Sequence, residues 1–372
     1  MTQIQLQKFI AYLQKQKYSV FGPFEEDGII KIKSISNPKK FKLLGKLSFY
    51  SFKKFFLPPK EILFNFKKNH LIKNKEIIKK QALFGLSVFD LSALMLYNNV
   101  FEKDFFYQER RKNILVIGQS IMLSDEKFFQ NWEEKYEEDV LEHLRFDIFL
   151  GIINHPMSLS QICQPFLKQK QIELKSQKIK YKVFTGSIIG QKILDEFGFK
   201  DYEHVQFAGS IKEEGINLEM IKIKEAMQKN YKAEIWKELG KKCIECGKCS
   251  LVCPTCFCFD IKDEMVLGEN KGQREQCWAS CFYQEFSEIA NAYKFLNTTA
   301  KRIYNWYYHK FVRIPEEYSF SGCVGCGRCI KVCPAGIDIR EVLKKIKSKN
   351  AKCKINKFKT QNTKQKNKKI QE

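Results

Sequence analysis

The sequence predicts an α+β protein: an α/β front domain followed by a mainly α-helical, cysteine-rich domain. Two observations carry this. Short apolar runs alternate with helical stretches over residues 1–212, and 13 of the 14 cysteines fall between Cys243 and Cys353. The shift marks the boundaries: a front domain over 1–212, a helical connector over 213–239, a cysteine domain over 240–345 and a basic tail over 346–372. At 372 residues the chain has room for two or three domains.

In chain order, MTQIQLQKFIAYLQKQKYSV opens with an amphipathic helix, with Ile4, Leu6, Phe9, Ile10 and Leu13 on one face. It lacks the apolar core of a secretory signal. YSVFGPFEEDGIIKIKSI (18–35) reads as two strands joined by a Gly-Pro and Asp-Gly turn region. ILVIG (114–118), FDIFLGII (146–153) and YKVFTG (181–186) read as buried strands, and FDLSALMLYNNVF (89–101) and GQKILDEFGF (190–199) as the helices beside them. EGINLEMIKIKEAMQKNYKAEIWKE (213–237) reads as the helical connector. SEIANAYKFLNTTAKRIYNWYYHKF (287–311) is helical by pattern, and its Trp306, Tyr307 and Tyr308 are expected in a core or interface rather than as electron stepping stones. Residues 344–372 hold twelve lysines, one acid and few apolar residues, the composition of a disordered, solvated tail.

No apolar run approaches the ~20 residues that cross a bilayer, so a soluble, cytoplasmic protein is expected. In that compartment cysteines serve as metal ligands more often than as disulfides. The formal charge of +23 favours an acidic partner surface.

The cysteines repeat one pattern. Cys243, Cys246, Cys249 and Cys253-Pro254 follow C-x2-C-x2-C-x3-C-P, and Cys323, Cys326, Cys329 and Cys333-Pro334 follow it again. This is the run of proteins with two [4Fe-4S] clusters. Three cysteines at i, i+3 and i+6 wrap three corners of a cubane. Gly247 and Gly327, before the third cysteine, suit a backbone that needs positive φ. The proline turns the chain away, and the fourth cysteine reaches the other cluster. The spacing thus assigns Cys243, Cys246, Cys249 and Cys333 to cluster one, and Cys323, Cys326, Cys329 and Cys253 to cluster two. Zinc and disulfides are the alternatives, and the doubled run with both prolines fits them poorly. The second domain is therefore expected to be ferredoxin-like.

Residues 254–322 separate the runs, and the stretch 287–311 within them is expected to pack helices around the clusters. They add Cys256, Cys258, Cys277 and Cys281. Four sulfurs are the number a third cluster requires, though C-x-C and C-x3-C are not a standard signature, and small buried residues are the alternative. Cys163 and Cys353 lie outside every constellation. Lys242, Lys248, Arg328 and Lys331 flank the loops, where positive charge favours the reduced clusters.

The segments CIECGKCSLVCPTCFCFD, CWASCFYQEF, RIYNWYYHKF and CVGCGRCIKVCPAGIDI resemble the 4Fe-4S dicluster electron-transfer subunits of the sulfhydrogenase β and anaerobic sulfite reductase A kind. YSVFGP, FLPPKEILFNF (56–66), GLSVFDLSAL (85–94) and DFFYQERRKNILVIG (104–118) extend the likeness through about 10–345. The resemblance implies an electron-transfer subunit, a partner that binds FAD and a nicotinamide nucleotide, and a [NiFe] hydrogenase or sirohaem sulfite reductase as catalytic subunit. The eight motif cysteines carry over, Cys256, Cys258 and Cys281 also match, and Cys277 is particular to this chain. Relatives often carry cysteine where this chain has Phe89, and again after strand 114–118, where it reads QSIMLSDEKFFQ. The front domain is then expected to serve docking.

Within the sequence itself there is no G-x-G-x-x-G fingerprint, GSIIGQ (186–191) is at best a broken glycine pair, and His70, His143, His155, His204 and His309 are scattered. No complete active site is evident, which favours electron relay. A self-contained iron-sulfur oxidoreductase whose front domain binds a small substrate is the alternative. An iron-sulfur nucleic-acid binder is less favoured, since no recognised motif appears.

Overall fold

Residues 1–68, 70–73, 79–121, 138–152, 180–209 and 218–348 are described by a computed structural model. They form two units that interleave along the sequence. The first holds Met1–Ile211, Leu251–Ala279 and Val324–Arg328, and the second Lys212–Ser250, Ser280–Cys323 and Cys329–Glu372.

In the first unit, helix α1 (Gln3–Lys15) begins at a Thr2–Gln5 capping box. Leu6, Phe9, Ile10 and Leu13 are buried, as their i, i+3, i+4, i+7 spacing requires. Ile4 does not join them. It lies off that stripe and is 66% exposed.

A seven-stranded sheet runs β2-β1-β5-β6-β7-β8-β9. Its members are β1 (Ser19–Glu26), β2 (Ile29–Ser34), β5 (Gln81–Leu86), β6 (Ile114–Gln119), β7 (Ile148–Ile152), β8 (Tyr181–Thr185) and β9 (Glu203–His204). β1, β5, β6 and β7 are parallel neighbours, β2 runs antiparallel to β1, and β8 runs antiparallel to β7 and parallel to β9. The strands read at 114–118, 146–153 and 181–186 are present. Only Asp27 and Gly28 make the hairpin turn, both at positive φ. Gly22 and Pro23 sit inside β1, so the expected Gly-Pro turn is a strand segment.

Helix α3 (Val88–Val100) begins at a Ser87–Asp90 capping box and buries Phe89, Leu91, Leu94, Leu96 and Tyr97. Helix α5 (Ile188–Phe197), which follows α2 (Lys53–Phe56) and α4 (Phe105–Lys112) in the chain, is capped by Ser187. The glycine pair of GSIIGQ is structural. A Cβ on Gly190 would lie 2.0 Å from the Asp147 carbonyl oxygen, and Ser187 Oγ donates to Asp147 Oδ1 at 2.7 Å.

A second sheet adds to the expected elements. The start of the intervening stretch is not helical. It forms a hairpin of β10 (Phe259–Met265) and β11 (Lys271–Trp278), which pairs with β3 (Lys60–Lys67) and, through it, β4 (His70–Lys73). The sequence reason is visible afterwards: FDIKDEM alternates apolar and polar residues, and the turn holds Gly268 at positive φ. Trp278 Nε1 donates to the Leu57 carbonyl at 2.9 Å, and the Lys53 ammonium sits 4.3 Å over its ring.

The second unit is mostly helical. Helices α6 (Leu218–Lys229) and α7 (Glu234–Lys242) fall where the connector was expected. α7 packs on α9 (Thr299–Tyr308), with the Trp236 and Tyr307 ring centroids 5.5 Å apart. The helix expected over 287–311 starts late. Thr298 caps it, and before the cap Glu288–Ile289 and Tyr293–Lys294 pair antiparallel around Asn291 and Ala292, both left-handed. It then continues as a π-helical turn (His309–Arg313) into α10 (Ile314–Tyr318). The basic tail also begins later than expected, because residues 339–348 are helical and Ile339, Val342, Leu343 and Ile346 are buried. The rest of the tail, Cys163 and Cys353 lie outside the described residues.

Candidate metal centre

The first cysteine run leaves α7 at Cys243 and enters a short helix, α8 (Lys248–Val252). Between them Glu245 and Gly247 take left-handed conformations, with φ of 58° and 68°. The second run does the same at the equivalent positions, Gly325 (φ 73°) and Gly327 (φ 66°), before α11 (Arg328–Val332). The positive φ expected at Gly247 and Gly327 is thus present. Sequence reasoning missed its companion at Glu245, where a side chain adopts the strained form.

That loop is held by its neighbours. Glu245 accepts from Thr299 Oγ1, from the Arg302 guanidinium and from Gln284 Nε2. Burial pushes its carboxyl up, but these three donors outweigh it and leave the group below the ordinary carboxylate value. Ser250 Oγ donates to the Gly247 carbonyl at 2.8 Å and lies 2.7 Å from Ser280 Oγ. A Cβ on Gly247 would come within 2.9 Å of Ser280 Oγ and Tyr283 Cε1, so the site admits only glycine without a shift.

A cavity within the second unit brings Cys243, Cys246, Cys249 and Cys333 together. These are the four cysteines assigned to cluster one. Cys329 also lines it, with Ile303, Trp306 and Tyr307. Burial raises the Cys243 thiol, and Cys333 and Cys246 raise it further, while the Glu245 amide lowers it. That amide donates to Cys243 Sγ at 3.4 Å, and the Ile337 amide donates to Cys333 Sγ at 3.3 Å. Thiols crowded in this way ionise once a cation compensates them.

The cavity wall fits an iron-sulfur cluster. Trp306 and Tyr307 line this cavity, and the buried Trp306 Nε1 and Tyr307 Oη have no hydrogen-bond partner among the described residues. Both can donate, and cluster or cysteine sulfur is the acceptor that such a wall calls for. Trp306 and Tyr307 are 6% and 1% exposed, so the expectation of core residues holds, though their polar atoms face an added task. Among the described residues no three His, Cys, Asp or Glu side chains gather as around a single ion.

In the first unit Cys326 and Cys253 are both buried, as their exposures of 7% and 8% show. Burial raises the Cys326 thiol, the Arg328 cation pulls it down and Cys253 raises it again. Arg328 differs from the other cations flanking the loops. Lys242, Lys248 and Lys331 are exposed, whereas Arg328 is buried against Asp90 and Ser48. Cys323 belongs to the second unit.

Cys256 and Cys258 adjoin the buried Tyr97, whose phenol is raised first by burial and then by Cys253 and Cys256. Tyr97 Oη donates to the Cys256 carbonyl at 3.3 Å. Cys277 lies on β11, paired in register with Asp260 and Lys60. Cys281 is buried in the second unit.

Residues 242–337 match the family model of a 4Fe-4S dicluster domain. Such a domain holds two [4Fe-4S] clusters. The chain is 26% identical over 341 residues to the sulfhydrogenase 2 subunit beta of Pyrococcus furiosus, covering 90% of this chain and 93% of that one. No solved structure matches it. No helix among the described residues is long and apolar enough to cross a membrane. The doubled cysteine run and this likeness, which extends through the front unit, mark an iron-sulfur electron-transfer subunit similar to the sulfhydrogenase β subunit.

Proposed function

We propose that the chain is the electron-relay subunit of a multi-subunit oxidoreductase. It would stand between a subunit that binds FAD and NAD(P) and a catalytic subunit, either a [NiFe] hydrogenase or a sirohaem sulfite reductase. The observation that carries the reading is the cavity that brings Cys243, Cys246 and Cys249 of the first run together with Cys333, the fourth cysteine of the second, beside Cys329, as expected where the two runs exchange their fourth cysteines. By the same rule Cys323, Cys326, Cys329 and Cys253 hold the second cluster.

The clusters, when bound, supply one-electron chemistry at potentials that sulfur hydrogen bonds, charge and solvent access adjust. The chain's own residues do the rest. Glu245, Gly247, Gly325 and Gly327 curl the two loops. The Glu245 and Ile337 amides donate to cysteine sulfur, and Phe282, Ile303 and Ile339 keep water from the cavity. The thiol-rich composition supports a reducing, cytoplasmic setting.

Iron and acid-labile sulfide on protein purified without oxygen test the reading. About 8 of each per chain are expected for two clusters. About 12 of each would add a third, at Cys256, Cys258, Cys277 and Cys281, and Cys258→Ala or Cys281→Ala would then lower the count. An unchanged count in both variants removes the third cluster. Reduction of the chain by a flavin-containing partner, with no turnover of sulfite or hydrogen by the isolated chain, supports relay. Turnover by the isolated chain would instead support a self-contained oxidoreductase.

A further inference from the structure

Arg328 opens α11 between Cys326 and Cys329, yet only 3% of it is exposed. Four of its five N–H donors have oxygen partners. Nε donates to the Ser48 carbonyl at 2.9 Å, and Nη2 to Ser48 Oγ at 3.1 Å. Nη1 donates to Asp90 Oδ1 at 2.8 Å, and Nη2 to Asp90 Oδ2 at 3.0 Å. The guanidinium also lies close enough to the Cys326 thiol for its charge to favour the thiolate. Asp90 is fixed in turn, because Ser87 Oγ donates to its Oδ2 at 2.7 Å. Phe89, Ala93 and Val324 pack around Cys326, with Leu47 and Val88 beside them. The cation, its carboxylate and a cysteine sulfur therefore share one dry enclosure in the first unit.

We infer that Arg328 sets the reduction potential of the cluster held by Cys326, and that Asp90 is the positioning residue that fixes how much of the Arg328 charge that cluster experiences. This rests on the reading of Cys326 as a cluster ligand. A cluster gains one negative charge on reduction, so a buried cation beside its ligand sulfur stabilises the reduced form. The paired carboxylate opposes it. Neither effect is weakened by water in an apolar enclosure, whereas the exposed Lys242, Lys248 and Lys331 are screened by salt. The front unit thus acts on the redox chemistry through α3, beyond a docking role.

The two residues carry opposite signs, which separates tuning from damage. The test is a redox titration followed by EPR on the full chain purified without oxygen, as wild type, Arg328→Gln, Arg328→Lys and Asp90→Asn. Arg328→Gln is expected to move one of the two midpoints to more negative potential. Asp90→Asn is expected to move the same midpoint to more positive potential. Arg328→Lys, which keeps the charge but loses the fork, stays nearer to wild type than Arg328→Gln. The other midpoint stays in place in every variant. Shifts in the same direction for Arg328→Gln and Asp90→Asn, no shift in either, or equal shifts in Arg328→Lys and Arg328→Gln would overturn the inference. If Asp90→Asn fails to fold, the Lys and Gln variants still decide it. A wild-type chain with fewer than about 8 irons or a single midpoint would instead sink the ligand reading itself.

Discussion

Arg302 and Glu245 form an ion pair that joins helix α9 to the first cysteine loop, at a residue whose φ is +58°. The second loop places Gly325 at the equivalent point. One loop therefore meets its left-handed requirement with glycine. The other keeps a side chain there and ties it down from α9 and from Gln284.

Removing the tie should expose the strain. Arg302→Met leaves Glu245 part-buried without its cation, and a loss of about 2–4 kcal/mol is expected in denaturant unfolding of the cluster-loaded chain. Adding Glu245→Gly should restore part of that loss, since glycine accepts positive φ freely and relieves about 1 kcal/mol of strain. A double variant no more stable than Arg302→Met would argue against backbone strain at this loop.

Tyr307 gives a redox prediction for the first cluster. The residue lines the cavity, and its buried hydroxyl has no hydrogen-bond partner among the described residues. A hydrogen bond to sulfur favours the more negative reduced state, so Tyr307→Phe should lower one midpoint. If the bond is worth about 1 kcal/mol more to the reduced state, the shift is on the order of 40 mV. Redox titration with EPR checks it, and an unmoved midpoint would show that the phenol does not reach the cluster.

His309 predicts a pH dependence in the second unit. Burial pushes its imidazole down to about 4, helped by Lys310 and Arg313 and opposed by Glu317. The neutral form is favoured in the fold, so the unfolded chain binds the extra proton as pH falls below the ordinary histidine value. Stability from this group is complete above about pH 6.5 and is lost between there and about pH 4, by about 2–3 kcal/mol once partial exposure is discounted. Unfolding midpoints measured across that window for wild type and His309→Phe should diverge at the acidic end. Parallel curves would exclude His309 as the source.

Glycine at 247 predicts a local failure. Gly247→Ala places a Cβ against Ser280 and Tyr283 and forces a positive φ on alanine. Iron content is expected to fall from about 8 towards about 4 per chain, as the first cluster is lost before the second. Full iron in this variant would mean that the loop relaxes around the methyl group.

Much of this protein was written locally. Each cysteine run, its glycine before the third cysteine and its closing proline are neighbours in sequence, so spacing alone conveyed the chemistry. The strands at 114–119 and 181–185 and the face of α1 followed from their apolar periods. What spacing could not convey was long-range. Nothing near Asp90 in the sequence announces Arg328, and nothing in FDIKDEM says that β10 and β11 complete a sheet with β3 and β4. The helix expected over 287–311 failed because Thr298 caps a later start. Buried charge and unpaired donors need partners wherever the fold supplies them. Tertiary structure alone therefore decided that Arg328 lies dry against Asp90 and that Trp306 and Tyr307, whose donors are buried without partners, line a cavity walled with cysteine.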